Sequence, residues 1–297
     1  MKYWISLVTS MEVDQYVEIA RFAEQAGFEG VTVPDHLVIP TKVETPYPYT
    51  PDGIMWWPTE TPWPDPWVTL AAMGPATSRI KLASNIYLAG LRDPFTAARA
   101  IGTAAVLTDD RIVCGVAAGW MPEEYALLDI DFGTRGKRLD EMIEVWRKLW
   151  TGEEVEHHGE IFDFEHVLML PAPTKPVPVW IGGASKAALR RAARNDGWLG
   201  VPMLNKQLMA TTKALHAMRE EFGKAGEPFD VMLCPLEPMT PAAQAEFEGA
   251  GAHHVMALPW TPSPWGRAPW VKEGEDHTRL SVKRQAMERF ARQVGLY

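Results

Sequence analysis

The sequence has few cysteines, no long apolar run and no cluster of basic residues, and each absence excludes a class of protein. Its two cysteines, Cys114 and Cys234, both lie in apolar stretches typical of strands, so reduced thiols are expected. No apolar run approaches the roughly 20 residues that a helix needs to cross a bilayer, so no membrane partner is expected. The 38 acidic and 29 basic residues give a net charge of −9 without a basic block, which argues against a nucleic-acid partner.

The amino-terminal stretch MKYWISLV is too short and too strand-like for a signal peptide. Together with the cysteine usage, this favours a cytoplasmic protein. A hydrophobic content of 46% with 23% charged residues is typical of a globular core. The 297 residues fit one large domain, because single α/β barrels commonly reach about 250 residues.

Short apolar stretches alternate with stretches of helical periodicity along the chain. The predicted strands are residues 1–8, 30–36, 80–88, 111–119, 177–182, 197–201, 229–234 and 255–258. The predicted helices are residues 13–25, 67–76, 94–107, 134–150, 186–193, 207–222, 241–249 and 280–294. Eight such units with short buried strands predict one α/β domain over residues 1–297, a single (β/α)8 TIM barrel, with a doubly wound open sheet as the alternative.

Three connections are longer than the usual βα loop of about 2 to 6 residues. They are predicted insertions after strands 2, 4 and 8, at about 37–66, 120–170 and 259–279. The second insertion contains a stretch, 157–164, that fits a small hairpin. The first is rich in proline and tryptophan, a composition typical of a lid or a substrate wall.

Four predicted strands end in polar or glycine-rich residues: Asp35-His36, Ser84-Asn85, Ala118-Gly119 and the turn at 182–185. In a barrel all carboxyl ends of the strands lie on one face, where active sites are built. We therefore expect these four endings to converge on one mouth.

The turn at 182–185 joins a buried strand directly to a helix. Gly182 and Gly183 let the backbone approach a ligand closely, and the first amides of the helix lack intrahelical partners, so the turn suits a phosphate. The turn also fits a tight connection without a ligand, with Ser185 as the helix N-cap.

Six tryptophans lie in the loops after the second and eighth strands, which are neighbours in a closed barrel: Trp56, Trp57, Trp63, Trp260, Trp265 and Trp270. Clustered around one mouth, they fit an apolar, aromatic substrate pocket. They equally fit packing of these loops onto the barrel or onto a second subunit. Trp56, Trp57, Trp120 and Trp260 are the predicted pocket residues.

Motifs spread over nearly the whole chain resemble the bacterial luciferase-like flavin and deazaflavin oxidoreductases. They are PDHL at 34–37, TSRIKL at 77–82, LRDP at 91–94, GVAAGW at 115–120 with Glu124, TRGKRLDE at 134–141, and PVWIGGAS at 178–185 with DGW at 196–198. Their order and spacing carry the resemblance, and the details are most similar to the subgroup that uses coenzyme F420.

The resemblance implies a role for residues at each of the four strand ends. His36 matches the histidine that faces the reactive part of the cofactor ring, with Asp35 as a second catalytic, orienting or capping group. At Ser84-Asn85 it implies a non-proline cis peptide behind the ring. Phosphate and ring contacts are implied for Ala118, Gly119, Gly182, Gly183, Ala184 and Ser185.

The sequence also departs from known members of the family. Ala118 and Ala117 stand where luciferase has a phosphate-binding arginine and a reactive cysteine, so light emission is not expected. Trp120 and Pro40 stand where the F420-dependent sugar-phosphate dehydrogenases have a catalytic glutamate and a ring-packing tryptophan. Glucose 6-phosphate is therefore not the expected substrate.

The expected function is hydride transfer between F420 and an apolar or aromatic small molecule. Lys186, Arg190 and Arg191 lie near the loop where the anionic F420 tail would need cations. Because FMN lacks that tail and fits the same loop, the alternative is an FMN-dependent monooxygenase that inserts oxygen and is served by a flavin reductase partner. The family resemblance also implies a homodimer.

Two further readings remain open, a non-catalytic flavin-binding protein and a metal-dependent barrel hydrolase. The hydrolase would need several inward ligands, whereas the pairs His157-His158 and His253-His254 direct neighbouring side chains to opposite faces of a strand. No metal site is predicted.

Overall fold

The computed structural model describes residues 1–262, 268 and 270–296. Its described strands in chain order are β1 (Lys2–Ser6), β2 (Gly30–Val33), β3 (Lys81–Ser84), β4 (Ile112–Val116), β5 (Val155–His158), β6 (Asp163–Val167), β7 (Val179–Gly182), β8 (Gly197–Leu199), β9 (Asp230–Leu233) and β10 (His254–Ala257). Its described helices are α1 (Tyr16–Gln25), α2 (Pro66–Met73), α3 (Pro94–Leu107), α4 (Pro122–Ala126), α5 (Arg135–Leu149), α6 (Lys186–Arg194), α7 (Asn205–Glu221), α8 (Pro241–Gly249) and α9 (Leu280–Gln293).

Eight of the strands close into a parallel barrel in the order β1-β10-β9-β8-β7-β4-β3-β2. Closure occurs where β1 pairs with β10, with Lys2 opposite His254. The (β/α)8 barrel predicted from the sequence is confirmed, and the doubly wound open sheet is excluded. The remaining strands, β5 and β6, form the predicted antiparallel hairpin outside the barrel.

Local capping fixes where several outer helices begin. Asp65 and Asp93 each accept backbone N–H bonds from the first turn of the helix that follows, α2 and α3 respectively. A proline occupies the next position in both cases, where its missing N–H costs nothing. The predicted span of α3, residues 94–107, therefore matches the structure at both ends.

The barrel interior is closed at its amino-terminal end by bulky side chains. Trp4 and Trp180 pack with ring centroids 5.4 Å apart inside the strands. The Trp4 indole N–H donates to His254 Nδ1 at 2.9 Å, and His254 Nε2 lies 3.0 Å from the Asp230 carboxylate. This floor leaves the carboxyl ends of the strands as the open face.

The three predicted insertions differ in content. Residues 37–65 form no helix or strand, and the second insertion holds α4, the hairpin and also α5, which packs against α3 as the outer helix of the fourth barrel unit. Part of the third insertion, 263–267 and 269, lies outside the described residues. Within the described part of the chain, the helices are all too short or too polar to cross a membrane.

Candidate active site

A cavity of about 1680 Å³ opens at the carboxyl ends of the barrel strands. Each barrel strand contributes to its lining, either with its last residues or with the residues that follow it. Asp35-His36, Asn85, Ala118-Gly119 and the turn at 182–185 all line it. The predicted convergence on one mouth is therefore confirmed, apart from Ser84.

The turn at 182–185 passes directly from β7 into α6. Gly183 has φ +107°, which requires glycine, and a side-chain carbon at Gly182 would lie 2.3 Å from Ile86 Cδ1, so that the Ile86 side chain would have to move. Ser185 is the N-cap of α6, and its Oγ accepts from Ala188 N at 3.2 Å. The preceding amides of the turn lie at the positive end of the helix dipole and are suited to a phosphate.

The basic side chains near this turn are arranged differently from the prediction. Arg191 forms a two-pronged ion pair with Asp140, at 2.6 and 2.9 Å, and Arg190 lies 3.8 Å from Glu221. Lys186 is exposed and is absent from the described lining of the cavity. Of the predicted tail-binding set, Arg191 lines the cavity but is paired with Asp140, Arg190 lies near Glu221, and Lys186 does not belong to the described lining.

Arg135 is the arginine that sequence reasoning missed. It lines the cavity at the start of α5, with its guanidinium 3.8 Å from the centre of the Phe132 ring and its Nη1 donating to Phe132 O at 2.9 Å. Among the described residues, the other two guanidinium nitrogens of Arg135 have no hydrogen bond. The signal was present in the motif at 134–141, where no role was assigned to this arginine.

His36 lies at the cavity wall and is almost fully buried. Its Nδ1 lies 2.9 Å from Glu124 Oε2, and the other oxygen of Glu124 accepts from Leu37 N at 3.1 Å. Glu124, in α4, is only 2% exposed. The sequence motif included this glutamate without a role, because only the folded chain brings α4 against the end of β2.

Asp35 is adjacent to His36 in the sequence but has different partners. Its carboxylate pairs with Arg92 Nη2 at 2.6 Å and accepts from Leu88 N at 2.9 Å. Burial raises the pKa of the Asp35 carboxyl, and the Arg92 charge opposes this rise only in part. The catalytic assignment of Asp35 is therefore not supported by its geometry, whereas the capping role also considered for it fits.

An aromatic wall surrounds His36 and extends into the 37–65 insertion. Ring centroids of Trp63, Trp57 and Trp120 lie 4.7, 6.1 and 6.5 Å from the imidazole. Tyr47, whose pKa is raised by burial, packs edge-on against Trp57 and Trp120 at 4.9 and 5.2 Å. Trp56 packs against Trp57 and also lines the cavity. The structure therefore brings the predicted residues Trp56, Trp57 and Trp120 together.

The tryptophans of the third insertion are placed differently. Trp260 is 2% exposed, belongs to the main hydrophobic core and is absent from the described cavity lining, so its assignment to the substrate pocket is wrong. Trp270 lines the cavity, and its indole N–H donates to Gln293 Oε1 at 3.0 Å. Trp265 lies outside the described residues.

Ser84 and Asn85, predicted together, have separate positions. Ser84 is fully buried, and its hydroxyl exchanges hydrogen bonds with the backbone of Gly115, which ties β3 to β4 away from the described cavity lining. The non-proline cis peptide joins Asn85 to Ile86, so its prediction at Ser84-Asn85 is wrong by one residue. Asn85 N still bonds Val33 O at 2.7 Å, which keeps the chain in the barrel ladder up to Asn85.

Glu123, beside Glu124, fastens the insertion that carries the aromatic wall. Its Oε1 accepts from the backbone N–H groups of Glu44 and Thr45, both at 2.9 Å. Burial alone would raise the pKa of the Glu123 carboxyl, but these backbone donors lower it. The short helix α4 therefore contacts both the insertion and His36.

Metal chemistry finds no support in the cavity. Within the described ranges, the one group of acidic and histidine side chains close enough to share an ion is Glu156, Glu165 and His166. These three residues are exposed on the hairpin and do not belong to the described cavity lining. The histidine pairs behave as predicted, since His254 is buried while His253 is exposed.

The closed barrel, the glycine turn at 182–185 and the histidine within an aromatic wall define an α/β-barrel protein with a candidate active site at the carboxyl ends of its strands. The family profile of the luciferase-like monooxygenases matches residues 4–292. The chain belongs to this family, which confirms the class predicted from the sequence, a luciferase-like oxidoreductase or monooxygenase.

The chain is similar to individual relatives and to a solved structure. The chain is 36% identical over 285 residues to the uncharacterised protein Rv0940c of Mycobacterium tuberculosis, covering 94% of both chains. It is 31% identical over 227 residues to an F420-dependent glucose-6-phosphate dehydrogenase of Nakamurella multipartita, covering 75% of this chain and 62% of that one. The crystal structure of monooxygenase RslO1 from Streptomyces bottropensis has the same fold, with a TM-score of 0.69, 17% identity and 98% coverage of both chains.

Proposed function

We propose that this protein transfers hydride between coenzyme F420 and an uncharged, apolar or aromatic small molecule. The observation that carries the proposal is a single cavity with a phosphate-type turn at 182–185 and His36 within an aromatic wall. The F420-dependent relative from Nakamurella multipartita supports the choice of cofactor. A bound deazaflavin would supply the hydride donor or acceptor.

The residues present fit such a cofactor. Gly182 and Gly183 leave a cradle that any larger side chain would fill, and the start of α6 offers amides for a phosphate. Arg135 offers a cation for an anionic tail. Asn85 and Ala118 line the same cavity, where they would contact the ring.

His36 and the aromatic wall have distinct tasks in this proposal. His36 would hold or accept the proton that accompanies hydride transfer, because it is the histidine within the cavity lining of the described chain. Trp57, Trp63 and Trp120 would exclude water and bind a flat apolar substrate by ring contacts. Trp120 stands where sugar-phosphate dehydrogenases need a glutamate, which argues against a sugar phosphate.

An FMN-dependent monooxygenase is the second candidate, and one observation favours it. Because Arg190 and Arg191 are directed to Glu221 and Asp140, the cavity has fewer cations for an anionic tail than the sequence suggested. FMN has no anionic tail, so its phosphate is the group that needs an anion site, and the turn at 182–185 would supply it. A flavin reductase would then be the partner.

Cofactor titration of the purified protein separates the two candidates. We expect F420 to bind more tightly than FMN, and Arg135→Gln to weaken F420 binding about tenfold while FMN binding is unchanged. Arg190→Gln, on the neighbouring helix, serves as the matched control and should change neither affinity. Tight binding of FMN alone would contradict the choice of F420.

Turnover tests the catalytic role of His36. With F420 and a panel of uncharged aromatic alcohols and enones, His36→Ala should lower kcat at least about 100-fold while cofactor affinity is retained. His158→Ala, on the exposed hairpin, is the control and should retain full activity. A wild-type protein that binds cofactor but turns over none of the panel would favour the non-catalytic reading, and an active His36→Ala variant would remove His36 from the mechanism.

We also propose that the protein is a cytoplasmic homodimer, as the resemblance implied. Light scattering of the purified chain tests the dimer, since a mass near that of one 33.2 kDa chain would contradict it.

A further inference from the structure

His36 and Glu124 form a buried pair at the cavity wall. Both carboxylate oxygens of Glu124 have a partner, His36 Nδ1 at 2.9 Å and Leu37 N at 3.1 Å. These partners are consecutive residues. Glu124 therefore binds the side chain of His36 and the backbone N–H of Leu37 at the same time. With 2% of Glu124 exposed, water has little access to compete for these oxygens.

The hydrogen-bond geometry decides which nitrogen of His36 is available for chemistry. Glu124 Oε1 accepts from Leu37 N, and carboxylate oxygens are hydrogen-bond acceptors, so the contact at Oε2 is satisfied when His36 Nδ1 carries the hydrogen. A neutral imidazole then has its lone pair at Nε2. Among the described residues, no hydrogen bond involves Nε2 of His36, a side chain that lines the cavity.

We propose that Glu124 is a positioning residue that holds neutral His36 in the Nδ1–H form, so that Nε2 is the atom that exchanges a proton with the substrate. The kinetic part of this inference rests on the proposed function. The assignment of the hydrogen to Nδ1 does not, because it follows from the contacts of the folded protein alone.

The other ionisable groups near His36 do not substitute for Glu124. Asp35 is turned toward Arg92 and Leu88, and Tyr47, whose pKa is raised by burial, stays neutral. The ring neighbours Trp57, Trp63 and Trp120 carry no charge. Glu124 is therefore the carboxylate in hydrogen-bond contact with His36, while the neighbouring Asp35 acts on the imidazole only through its charge.

A second buried His–Glu pair provides a matched control. His157 Nε2 lies 3.3 Å from Glu141 Oε1, and Glu141 also accepts from Ile161 N and Phe162 N. This pair joins α5 to the hairpin and is absent from the described cavity lining. Glu141→Gln therefore makes the same chemical change in a similar setting, away from the cavity.

Nitrogen-15 NMR of histidine-labelled protein tests the assignment without any substrate. The His36 signals are identified by their loss in His36→Gln. We expect wild-type His36 to be almost wholly Nδ1–H at neutral pH, and Glu124→Gln to raise the Nε2–H form to roughly half or more, because a glutamine amide can donate to Nδ1. Glu141→Gln should leave the His36 signals unchanged. Wild-type His36 in the Nε2–H form would overturn the proposal.

Steady-state kinetics test the positioning role of Glu124. Glu124→Gln should lower kcat at least about tenfold with KM changed by less than about threefold. Glu124→Asp should recover part of kcat, and Glu141→Gln should match wild type. A normal kcat in Glu124→Gln would refute the positioning role, whereas a wild-type protein without turnover would refute the proposed function and leave the NMR result to decide the assignment.

Discussion

Asp35 and His36 are adjacent in the segment that follows β2, and they have different partners. Asp35 is turned to Arg92 and Leu88, and His36 is turned to the cavity and Glu124. Both residues line the cavity, and the difference arises from the elements that each side chain meets, the segment between β3 and α3 for Asp35 and α4 for His36. A polar pair at a strand end therefore holds one structural and one candidate catalytic group.

We expect the Asp35–Arg92 ion pair to contribute to the free energy of unfolding. Asp35→Asn should lower the free energy of unfolding by about 3 kcal/mol, because it leaves the Arg92 charge buried without a counter-ion. Urea denaturation followed by tryptophan fluorescence measures this change. Glu44→Gln, in the exposed pair with Lys42, is the control and should show no measurable effect. A stable Asp35→Asn variant would indicate that Arg92 finds another partner.

At the scale of elements, the short helix α4 positions two parts of the candidate site. Its adjacent glutamates contact two different parts of the site, since Glu123 holds the backbone of the 37–65 insertion and Glu124 holds His36. A second short element of the site is the β7–α6 turn, where Gly183 has a positive φ that favours glycine.

We expect the conformation of the β7–α6 turn to affect cofactor affinity. Gly183→Ala should weaken cofactor binding about tenfold or more, because φ +107° is unfavourable for alanine and the turn must shift to relieve it. Gly223→Ala, also at positive φ but with open space around it and distant from the cavity lining, is the control. It should lose stability while binding the cofactor normally. Equal affinities in both variants would argue against a ligand at this turn.

Where α1 contacts the segment before β3, we expect a contribution to stability that depends on pH. Glu24 accepts the backbone N–H groups of Ser78, Arg79 and Ile80, and these bonds outweigh burial and lower its pKa from 4.5 to about 2. Its contribution is therefore complete above about pH 4.5 and is lost as the pH falls toward 2.

Glu24→Gln should destabilise the protein by about 1–2 kcal/mol at pH 7 and by progressively less between pH 4.5 and 2. Chemical denaturation at a series of pH values measures this convergence. Glu18→Gln, in an exposed pair with Arg21 on the same helix, should be silent. A constant difference between wild type and Glu24→Gln at all pH values would contradict the assignment.

At the scale of the whole molecule, the barrel joins the two ends of the chain. β1 pairs with β10, and α9 packs on α1, where Lys283 is fully buried against Glu12 and Gln15. An ion pair between residues this far apart in the sequence forms only after closure. Closure also creates the cavity, because its lining comes from every barrel strand.

Lys283→Met should therefore lower the free energy of unfolding by about 2–3 kcal/mol, because it leaves the Glu12 carboxylate without its cation at a buried seam. Circular dichroism and fluorescence should still report one coincident transition, since both ends belong to the same barrel. Lys213→Met, at an exposed position of α7, is the control. Loss of coincidence in the Lys283 variant would show that the ends unfold independently.

The sequence by itself determined the barrel, most helix boundaries and the strand ends that form the mouth. These features depend on local signals such as apolar periodicity, Asp–Pro helix starts and glycine turns, which act within a few residues. Only the tertiary structure decided the partners of each polar group. Glu124 contacts His36, Arg191 contacts Asp140, and Trp260 enters the core, because each outcome depends on which elements the closed barrel brings side by side.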